Sequence, residues 1–294
     1  MMHLDPNRIF SKTQPGIIRL GGWLGEWLSE WLRWWAVGSF LMVGCGIDKP
    51  FIYHPEQEIK ATPESVGLSY ENIYFQSADG VRLNGWFVPG PDPSNVMIWF
   101  HGNGGNIGHR VKKLRLIHDD LGLSIFIFDY RQYGQSGGSV TEEGTYWDAR
   151  AALEYVKSRT GLLALRIIYF GESLGSAVAV DLALKAPPRA LILESPITSI
   201  HDMARAKLPY LPVGFLIDDK YDSFSKIRKI HVPLLILHGD RDEVVPFDQG
   251  RRLFEAANPP KEFYVIPGAH HNDTYIVGGQ PYWEAMKKFL DRLE

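Results

Sequence analysis

The residues whose types and spacing can do chemistry begin with a serine in the middle of the chain. Residues 171–175 read G-E-S-L-G, a G-x-S-x-G pattern with Ser173 at its centre. An apolar run at residues 167–170 precedes it, and small residues at helical spacing follow it at residues 176–184. Glycines on both sides let a strand and a helix pass closely, so the hydroxyl stands clear of the sheet. Such a serine can attack a carbonyl carbon, and the Leu174 N–H at the helix start can bind the resulting oxyanion.

An ordinary strand-to-helix turn also fits this pattern, so its meaning depends on partners elsewhere in the chain. Residues 238–246, H-G-D-R-D-E-V-V-P, follow a second apolar run at residues 234–237. An aspartate just past a strand end can accept the Nδ1–H of a histidine and fix its tautomer. Three acids, Asp240, Asp242 and Glu243, compete for this role.

A histidine pair follows the last predicted strand, in P-G-A-H-H-N-D at residues 267–273. Either His270 or His271 can take a proton from the serine as general base and return it to a leaving group. Taken alone, each of these polar residues is more often structural than catalytic. Their joint order, Ser then Asp then His, each after a separate strand, predicts a hydrolytic triad.

A glycine-rich turn, H-G-N-G-G-N at residues 101–106, follows the apolar run at residues 96–100. Such a turn exposes backbone N–H groups, and the Asn103 N–H can supply the second half of an oxyanion hole beside Leu174. A phosphate-binding loop and a plain turn are the alternatives. The sequence contains no G-x-x-x-x-G-K-[ST] pattern, which weakens the phosphate reading.

These residues need elements that bring them to one edge of a sheet. After a hairpin centred on residues 78–80, apolar runs alternate with helical patterns. We predict strands at residues 96–100, 124–128, 167–170, 190–193, 234–237 and 263–266, and helices at residues 107–121, 142–159, 176–184 and 282–293. Unbroken apolar strands between helices predict a parallel sheet covered on both faces, with only the first hairpin antiparallel. Ligands of such sheets bind at the carboxyl ends of the strands, where the candidate residues fall.

Composition sets limits on the function. The chain has 294 residues and 45% hydrophobic content, enough for one large α/β domain. Its net charge of −3 gives no reason to expect a nucleic-acid partner. The single cysteine, Cys45, excludes an internal disulfide and a cysteine-based metal cluster. We expect the chemistry to need neither a metal nor a cofactor.

The amino-terminal segment, residues 1–49, differs from the rest of the chain. Five tryptophans fall at nearly helical spacing within it: Trp23, Trp27, Trp31, Trp34 and Trp35. A tryptophan stripe is typical of a membrane interface, and residues 34–47, which carry no charge, have the length of a signal-peptide core. We therefore expect this segment to associate with a membrane. An amphipathic arm folded onto the main domain is the alternative.

Basic residues set the orientation expected for that segment. Arg8, Lys12, Arg19 and Arg33 precede the uncharged run, so the catalytic domain is predicted on the non-cytoplasmic side. The sequence ending at Cys45, L-M-V-G-C, also resembles a bacterial lipoprotein cleavage box, although the segment ahead of it is long for one. The segment is then cleaved and lipidated at Cys45, or retained as an anchor.

Residues 197–228 interrupt the alternation of strands and helices. Pro209 and Pro212 break any long helix there, which predicts a small cap over the pocket. Apolar residues of this insertion are candidate contacts for an acyl substrate: Leu208, Tyr210, Leu211, Phe215 and Leu216. Plain packing against the last strands is an equal alternative.

Together these motifs resemble the α/β-hydrolase family. More narrowly, the chain is similar to the bud-emergence-protein-like branch, which is close to the animal α/β-hydrolase-domain proteins that cleave acyl thioesters. The resemblance rests on F-H-G-N-G-G-N-I-G-H-R at residues 100–110, D-Y-R-Q-Y-G-Q-S-G-G at residues 129–138, G-E-S-L-G, E-S-P at residues 194–196, H-G-D with Asp242, and H-N-D at residues 271–273.

The resemblance implies an α/β-hydrolase fold over residues 50–294: a mostly parallel central sheet with helices on both faces and a small cap insertion. It implies Ser173 as nucleophile, Asp242 as acid and His271 as base, with Asp240 in the turn and His270 as an extra residue. The expected activity is that of a serine hydrolase cleaving an ester or thioester through an acyl-enzyme. A serine peptidase of the prolyl-oligopeptidase type, and a non-catalytic membrane-tethered scaffold, are the alternatives.

Overall fold

A central sheet of eight strands organises the part of the chain that the computed structural model describes, residues 52–207 and 221–293. The strands are β1 Glu71–Gln76, β2 Arg82–Val88, β3 Val96–Phe100, β4 Ser124–Asp129, β5 Ile167–Glu172, β6 Ala190–Glu194, β7 Leu234–Gly239 and β8 Lys261–Ile266. Their order across the sheet is β8-β7-β6-β5-β3-β4-β2-β1.

Most neighbouring strands of this sheet run parallel. The prediction that only the hairpin β1–β2 is antiparallel was wrong in one respect, because β2 also pairs antiparallel with β4. β2 lies between its hairpin partner and the parallel block, and both of its neighbours run antiparallel to it. The strands β3 to β6 are buried except at Glu172, the last residue of β5, which explains why their sequences are continuous apolar runs instead of alternating patterns.

Helices cover both faces of the sheet. They are α1 Val111–Leu121, α2 Glu142–Thr160, α3 Leu174–Lys185, α4 Ile200–Lys207, α5 Ser223–Ile227, α6 Phe247–Ala256 and α7 Thr274–Asp291. Alternate strand residues face the two layers: Ile98 packs with residues of α2 and α3, whereas its neighbour Trp99 packs with residues of α1 and α7. The two hydrophobic cores therefore lie on opposite sides of one sheet.

Two helices differ from the sequence prediction. Helix α7 begins at Thr274, eight residues before the predicted start at residue 282, and carries a kink at Gly279, whose φ is 52°. The first turn of α7 thus follows directly after the loop that carries the histidine pair. Helix α6 was not predicted, although its first residues follow Pro246, a residue that favours a helix start.

Several sequence predictions fall on residues outside those described. They are the amino-terminal segment 1–49 with its tryptophans and Cys45, the domain boundary at residues 49–50, and the five candidate acyl contacts Leu208, Tyr210, Leu211, Phe215 and Leu216. Within the predicted cap at residues 197–228, the structure describes α4 and α5. Over residues 52–207 and 221–293, no helix combines the length and apolar character needed to cross a bilayer.

Candidate active site

Ser173 lies in the sharp turn between β5 and α3, with φ 50° and ψ −120°. A non-glycine residue in this region is strained and is held there by its surroundings. The glycines of the motif permit the close packing. A methyl group on Gly175 would lie 2.1 Å from the Phe100 carbonyl oxygen, and one on Gly171 would lie 2.7 Å from the Gly175 carbonyl oxygen. The Ser173 N–H donates to the Glu194 carbonyl at 2.9 Å, which ties the turn to β6.

The structure brings Ser173, Asp242 and His271 together, although 98 residues separate the serine from the histidine. The His271 Nε2 atom lies 3.1 Å from the Ser173 Oγ atom. The opposite ring nitrogen, Nδ1, lies 2.7 Å from the Asp242 Oδ2 atom. Because a carboxylate only accepts, Nδ1–H donates to Asp242 and leaves Nε2 free to accept from the serine hydroxyl.

The Asp242 side chain is buried and held by several donors. Its Oδ1 atom accepts from the N–H groups of Val244 and Val245 at 2.9 and 2.8 Å. The His238 Nε2 atom lies 3.4 Å from Oδ2 and donates to the Val245 carbonyl at 3.0 Å. Burial alone would raise the pKa of Asp242, but hydrogen bonds from His238 and His271 outweigh it and hold the pKa well below its ordinary value. The carboxylate is therefore ionised at neutral pH.

The competing residues lie elsewhere. The Asp240 Oδ1 atom accepts from the Gly268 N–H at 2.7 Å, so this side chain braces the turn that precedes the histidines. His270 is exposed, and its Nδ1 atom lies 2.8 Å from Glu243 Oε2. The chain thus carries two histidine–carboxylate pairs side by side, and the Asp242–His271 pair is the one that reaches Ser173.

The glycine-rich turn at residues 101–106 lies against the serine. A methyl group built on Gly102 would sit 3.4 Å from the Ser173 Cβ atom. The Arg110 Nη2 atom donates to the Gly104 carbonyl at 2.9 Å, and the Tyr133 hydroxyl donates to the Asn103 Oδ1 atom at 2.9 Å. These bonds hold the Asn103 side chain and the Gly104 carbonyl in a turn that contacts Ser173, at the edge of the sheet where Leu174 begins α3.

A buried histidine–aspartate pair, His101 and Asp129, lies behind this turn. The two side chains are fully buried, with His101 Nε2 3.5 Å from Asp129 Oδ1. His101 Nδ1–H donates to the Gly102 carbonyl at 2.7 Å, and Asp129 Oδ1 accepts from the Ile107 N–H at 3.0 Å. Burial lowers the pKa of His101 to about 3 and raises the pKa of Asp129 to about 8. Both side chains are therefore neutral at pH 7.

The raised pKa of Asp129 predicts that stability falls as pH rises from 3.8 to about 8. Folded His101 is neutral throughout this range, and the unfolded histidine loses its remaining proton just above its ordinary pKa of 6.5. Wild type and Asp129→Asn share this small contribution, so it cancels when the two proteins are compared. Asp129 keeps its proton when folded up to pH 8 and loses it when unfolded, so folding becomes less favourable as pH rises. We expect wild type to lose about 2 kcal/mol of unfolding free energy from pH 6.5 to 8 relative to Asp129→Asn.

Urea unfolding of both proteins at the two pH values measures this difference. Asn at position 129 can still accept from the Ile107 N–H through its amide oxygen, so the variant should fold. The matched control is Asp92→Asn on an exposed turn, which should follow the wild-type pH dependence. Parallel pH dependence of wild type and Asp129→Asn would show that Asp129 is ionised in the folded protein.

A second buried group of charges, which had not been predicted from the sequence, lies beneath the turn that carries Ser173. The Lys113 Nζ atom donates to Glu172 Oε1 at 2.5 Å and to both Glu194 carboxylate oxygens at 2.8 Å. Burial alone would lower the pKa of Lys113, but Glu172 and Glu194 outweigh it and raise the pKa. The Glu194 carboxylate also accepts from the hydroxyls of Thr274 and Tyr282, each at 2.5 Å. This network joins the serine turn to the start of α7, three residues past His271.

These supporting residues carried weak signals in the sequence. Glu172 and Glu194 sit inside G-E-S-L-G and E-S-P, and His238 opens H-G-D, so motif membership could have drawn attention to them. Lys113 has no such signal, because a lysine in an amphipathic helix ordinarily faces water. No cluster of histidine, cysteine, aspartate or glutamate suited to a metal ion occurs among residues 52–207 and 221–293.

Known proteins share this architecture. Family models described as the alpha/beta hydrolase fold and as serine aminopeptidase S33 match residues 95–220 and 221–274. The Pyrococcus furiosus esterase Pf2001 superposes with a TM-score of 0.69 at 21% identity, covering 81% of this chain and 98% of its own. At that identity the likeness shows the fold.

Sequence relatives narrow the family further. An uncharacterized protein of Mycobacterium tuberculosis is 38% identical, with 81% of this chain and 85% of the relative covered. The α/β-hydrolase domain-containing protein WAV2 of Arabidopsis thaliana is 36% identical, covering 79% and 82% of the two chains. Protein bem46 of Schizosaccharomyces pombe is 35% identical, covering 78% and 79%. The chain therefore belongs to the α/β-hydrolase family, in its bem46-like branch.

Proposed function

We propose that this protein is a serine hydrolase that cleaves an ester or thioester through an acyl-enzyme. The observation that carries the proposal is the hydrogen-bonded series from the Ser173 hydroxyl through the His271 ring to the buried Asp242 carboxylate. A nucleophile, a base and a group that orients the base are the minimum for this reaction.

Each residue has one role in the proposed reaction. The Ser173 Oγ atom attacks the acyl carbon while His271 Nε2 takes the hydroxyl proton. The protonated ring is stabilised by Asp242, which stays ionised because its pKa is lowered. Collapse of the tetrahedral intermediate breaks the bond to the leaving group, which receives the proton from Nε2. A water molecule then attacks the acyl carbon of the acyl-enzyme while His271 Nε2 takes a proton from it. Collapse of this second intermediate releases the acid, and the proton returns to the Ser173 oxygen.

The negative charge of the intermediate needs donors that are already in place. The Leu174 N–H at the first residue of α3 and the Asn103 N–H of the glycine-rich turn are the proposed pair. Support comes from the contact of Gly102 with the Ser173 side chain and from the bond that Tyr133 makes to Asn103. No cofactor takes part in the proposed reaction.

Two other functions deserve a test. The model matching residues 221–274 is described as a serine aminopeptidase, which favours amide substrates, whereas the superposed Pyrococcus protein is named an esterase. A non-catalytic scaffold would need no aligned triad. The apolar cap residues Leu208, Tyr210, Leu211, Phe215 and Leu216 stay predicted acyl contacts and favour ester or thioester substrates.

A hydrolysis panel tests the substrate class. We expect turnover of p-nitrophenyl esters and acyl-CoA thioesters that depends on chain length, and little turnover of aminoacyl-p-nitroanilides, because apolar contacts gain free energy with each buried methylene. The measurement is kcat/KM for acyl chains of graded length. Efficient cleavage of a peptide bond with no ester activity would overturn the proposal in favour of a peptidase.

We also propose that residues 1–49 hold the protein at a membrane, with the catalytic domain on the non-cytoplasmic side. The tryptophan stripe and the uncharged residues 34–47 carry far more apolar area than a solvated arm. Full-length protein should sediment with membranes and need detergent, whereas a variant starting at Lys49 should be soluble and active. Mass spectrometry of the mature amino terminus separates lipidation at Cys45 from a retained anchor. Full-length protein found soluble and unprocessed would contradict the proposal.

A further inference from the structure

We infer that residues 52–58, here called the strap, are part of the machinery that aims the Asn103 N–H at the oxyanion. The inference rests on the proposed function, because it assigns positioning residues to the proposed oxyanion hole. Residues 50–66, with Pro50, Pro55 and Pro63, have the composition of an extended linker. The structure places the strap on the glycine-rich turn itself.

The strap adds a short parallel strand to the turn. His54 and Pro55 pair with Gly104 and Gly105, the residues that directly follow Asn103. The Glu56 N–H then donates to the Gly105 carbonyl at 3.1 Å. Two adjacent glycines have wide conformational freedom, and Gly105 sits at φ 78°. Without a pairing partner, the backbone that sets the direction of the Asn103 N–H would sample many geometries.

Asn106 fastens the strap from the far side of the turn. Its Nδ2 atom donates to the Glu56 and Glu58 carbonyls at 3.0 and 2.8 Å, and the residue is fully buried. Its Oδ1 atom meanwhile accepts from the Gly108 N–H at 3.0 Å, which caps the helical turn Ile107–Arg110. One amide therefore does two separable jobs: the oxygen caps the helix and the nitrogen holds the strap.

The strap also contacts two other loops at the same edge of the sheet. The Gly134 N–H donates to the Glu56 carbonyl at 2.9 Å, next to Tyr133, whose hydroxyl holds Asn103. The Tyr53 hydroxyl lies 3.0 Å from that of Tyr221, the first residue described after residue 207. The strap thus bridges the glycine-rich turn, the loop after β4, and the end of the predicted cap.

The test uses full-length protein carrying Asn106→Asp. Aspartate keeps an oxygen to cap Gly108 but has no N–H for the strap, and its charge faces two carbonyls. An oxyanion donor acts in the transition state, so we expect kcat to fall about 10- to 100-fold with KM nearly unchanged. Hydrogen exchange of residues 54–58 and 102–106 should accelerate in the same variant, because their mutual bonds open more often.

Asn258→Asp is the matched control. The Asn258 Nδ2 atom also donates to two backbone carbonyls, those of Arg228 and Ile230, at 2.7 and 2.9 Å. These bonds lie at the amino ends of β7 and β8, the edge opposite Ser173. This control loses the same number and type of bonds at a half-exposed site, so it should lower thermal stability by less and leave kcat at the wild-type value.

The outcomes separate the inference from the function on which it rests. If the wild type is active and Asn106→Asp keeps the wild-type kcat, whether or not its KM changes, the strap inference alone is overturned. A wild type inactive on every ester would overturn the proposed function. If Asn106→Asp melts well below Asn258→Asp, Asn106→Ser repeats the measurement, since serine is also an effective cap and adds no charge. Wild-type kcat in Asn106→Ser would then overturn the inference.

Discussion

Replacing Ser173 with alanine should leave the protein folded and abolish labelling by a fluorophosphonate probe. The probe reacts only with a hydroxyl whose proton has an acceptor, and His271 Nε2 lies 3.1 Å from this one. We expect kcat on any active ester to fall by about 10⁴- to 10⁶-fold, because triad members act as a unit. The variant also loses a hydroxyl from a strained turn without losing any backbone bond, so its melting temperature should change little.

Ser195→Ala is the matched control for that experiment. Ser195 is also a buried serine at positive φ after a strand end, with φ 44°. It should retain labelling, which would show that positive φ alone does not activate a hydroxyl. Labelling that persists in Ser173→Ala would place the nucleophile elsewhere and end the proposed mechanism.

The second large effect is expected from the acid and the base. Asp242→Asn and His271→Ala should each lower kcat by several orders of magnitude. In Asp242→Asn, the amide donates where the carboxylate accepted, so the His271 ring is driven to the tautomer that cannot take the serine proton. In His271→Ala no base remains within reach of Ser173. Steady-state kinetics on the most active ester of the panel measures both.

The neighbouring residues provide controls for both substitutions. Asp240→Asn removes charge from a turn-bracing carboxylate, and His270→Ala removes the exposed partner of Glu243. Each should cost far less than the triad variants. A larger fall in kcat for His270→Ala than for His271→Ala would show that His270, not His271, is the base.

Much of this architecture could be predicted from residue pattern. The apolar runs that became β3 to β7 are buried on both faces, and such strands leave a continuous signal in one sequence. The turn that carries Ser173 was predictable because its two glycines leave a sequence pattern. A Cβ atom at Gly171 or Gly175 would lie only 2.7 or 2.1 Å from a backbone oxygen, so only glycine fits at these positions. The strand ends located the loops that carry Ser173, three candidate acids and two candidate histidines, and the family resemblance selected Asp242 and His271 among them.

Other features depend on tertiary contacts that leave no local trace. The pairing of β2 with β4 joins segments separated by a helix, and nothing in either strand specifies its partner. The strap at residues 52–58 lacks the length and periodicity of a strand, so its sequence does not predict pairing. It is held in place by the Asn106 side chain and by backbone atoms of Gly105 and Gly134. The sequence around Lys113 is that of an exposed lysine on an amphipathic helix. Its burial becomes evident only when α1 packs on the sheet.

The bonds of the Glu194 carboxylate have a consequence for how the protein unfolds when heated. Its oxygens receive donors from α1 and from both segments of α7, while its backbone carbonyl holds the Ser173 N–H. A buried carboxylate stripped of these donors would be strongly destabilising, so the network cannot open in part. The nucleophile turn and the histidine loop therefore belong to the same cooperative unit as the core. In a protein built this way, loss of catalytic competence and global melting share a single thermal transition.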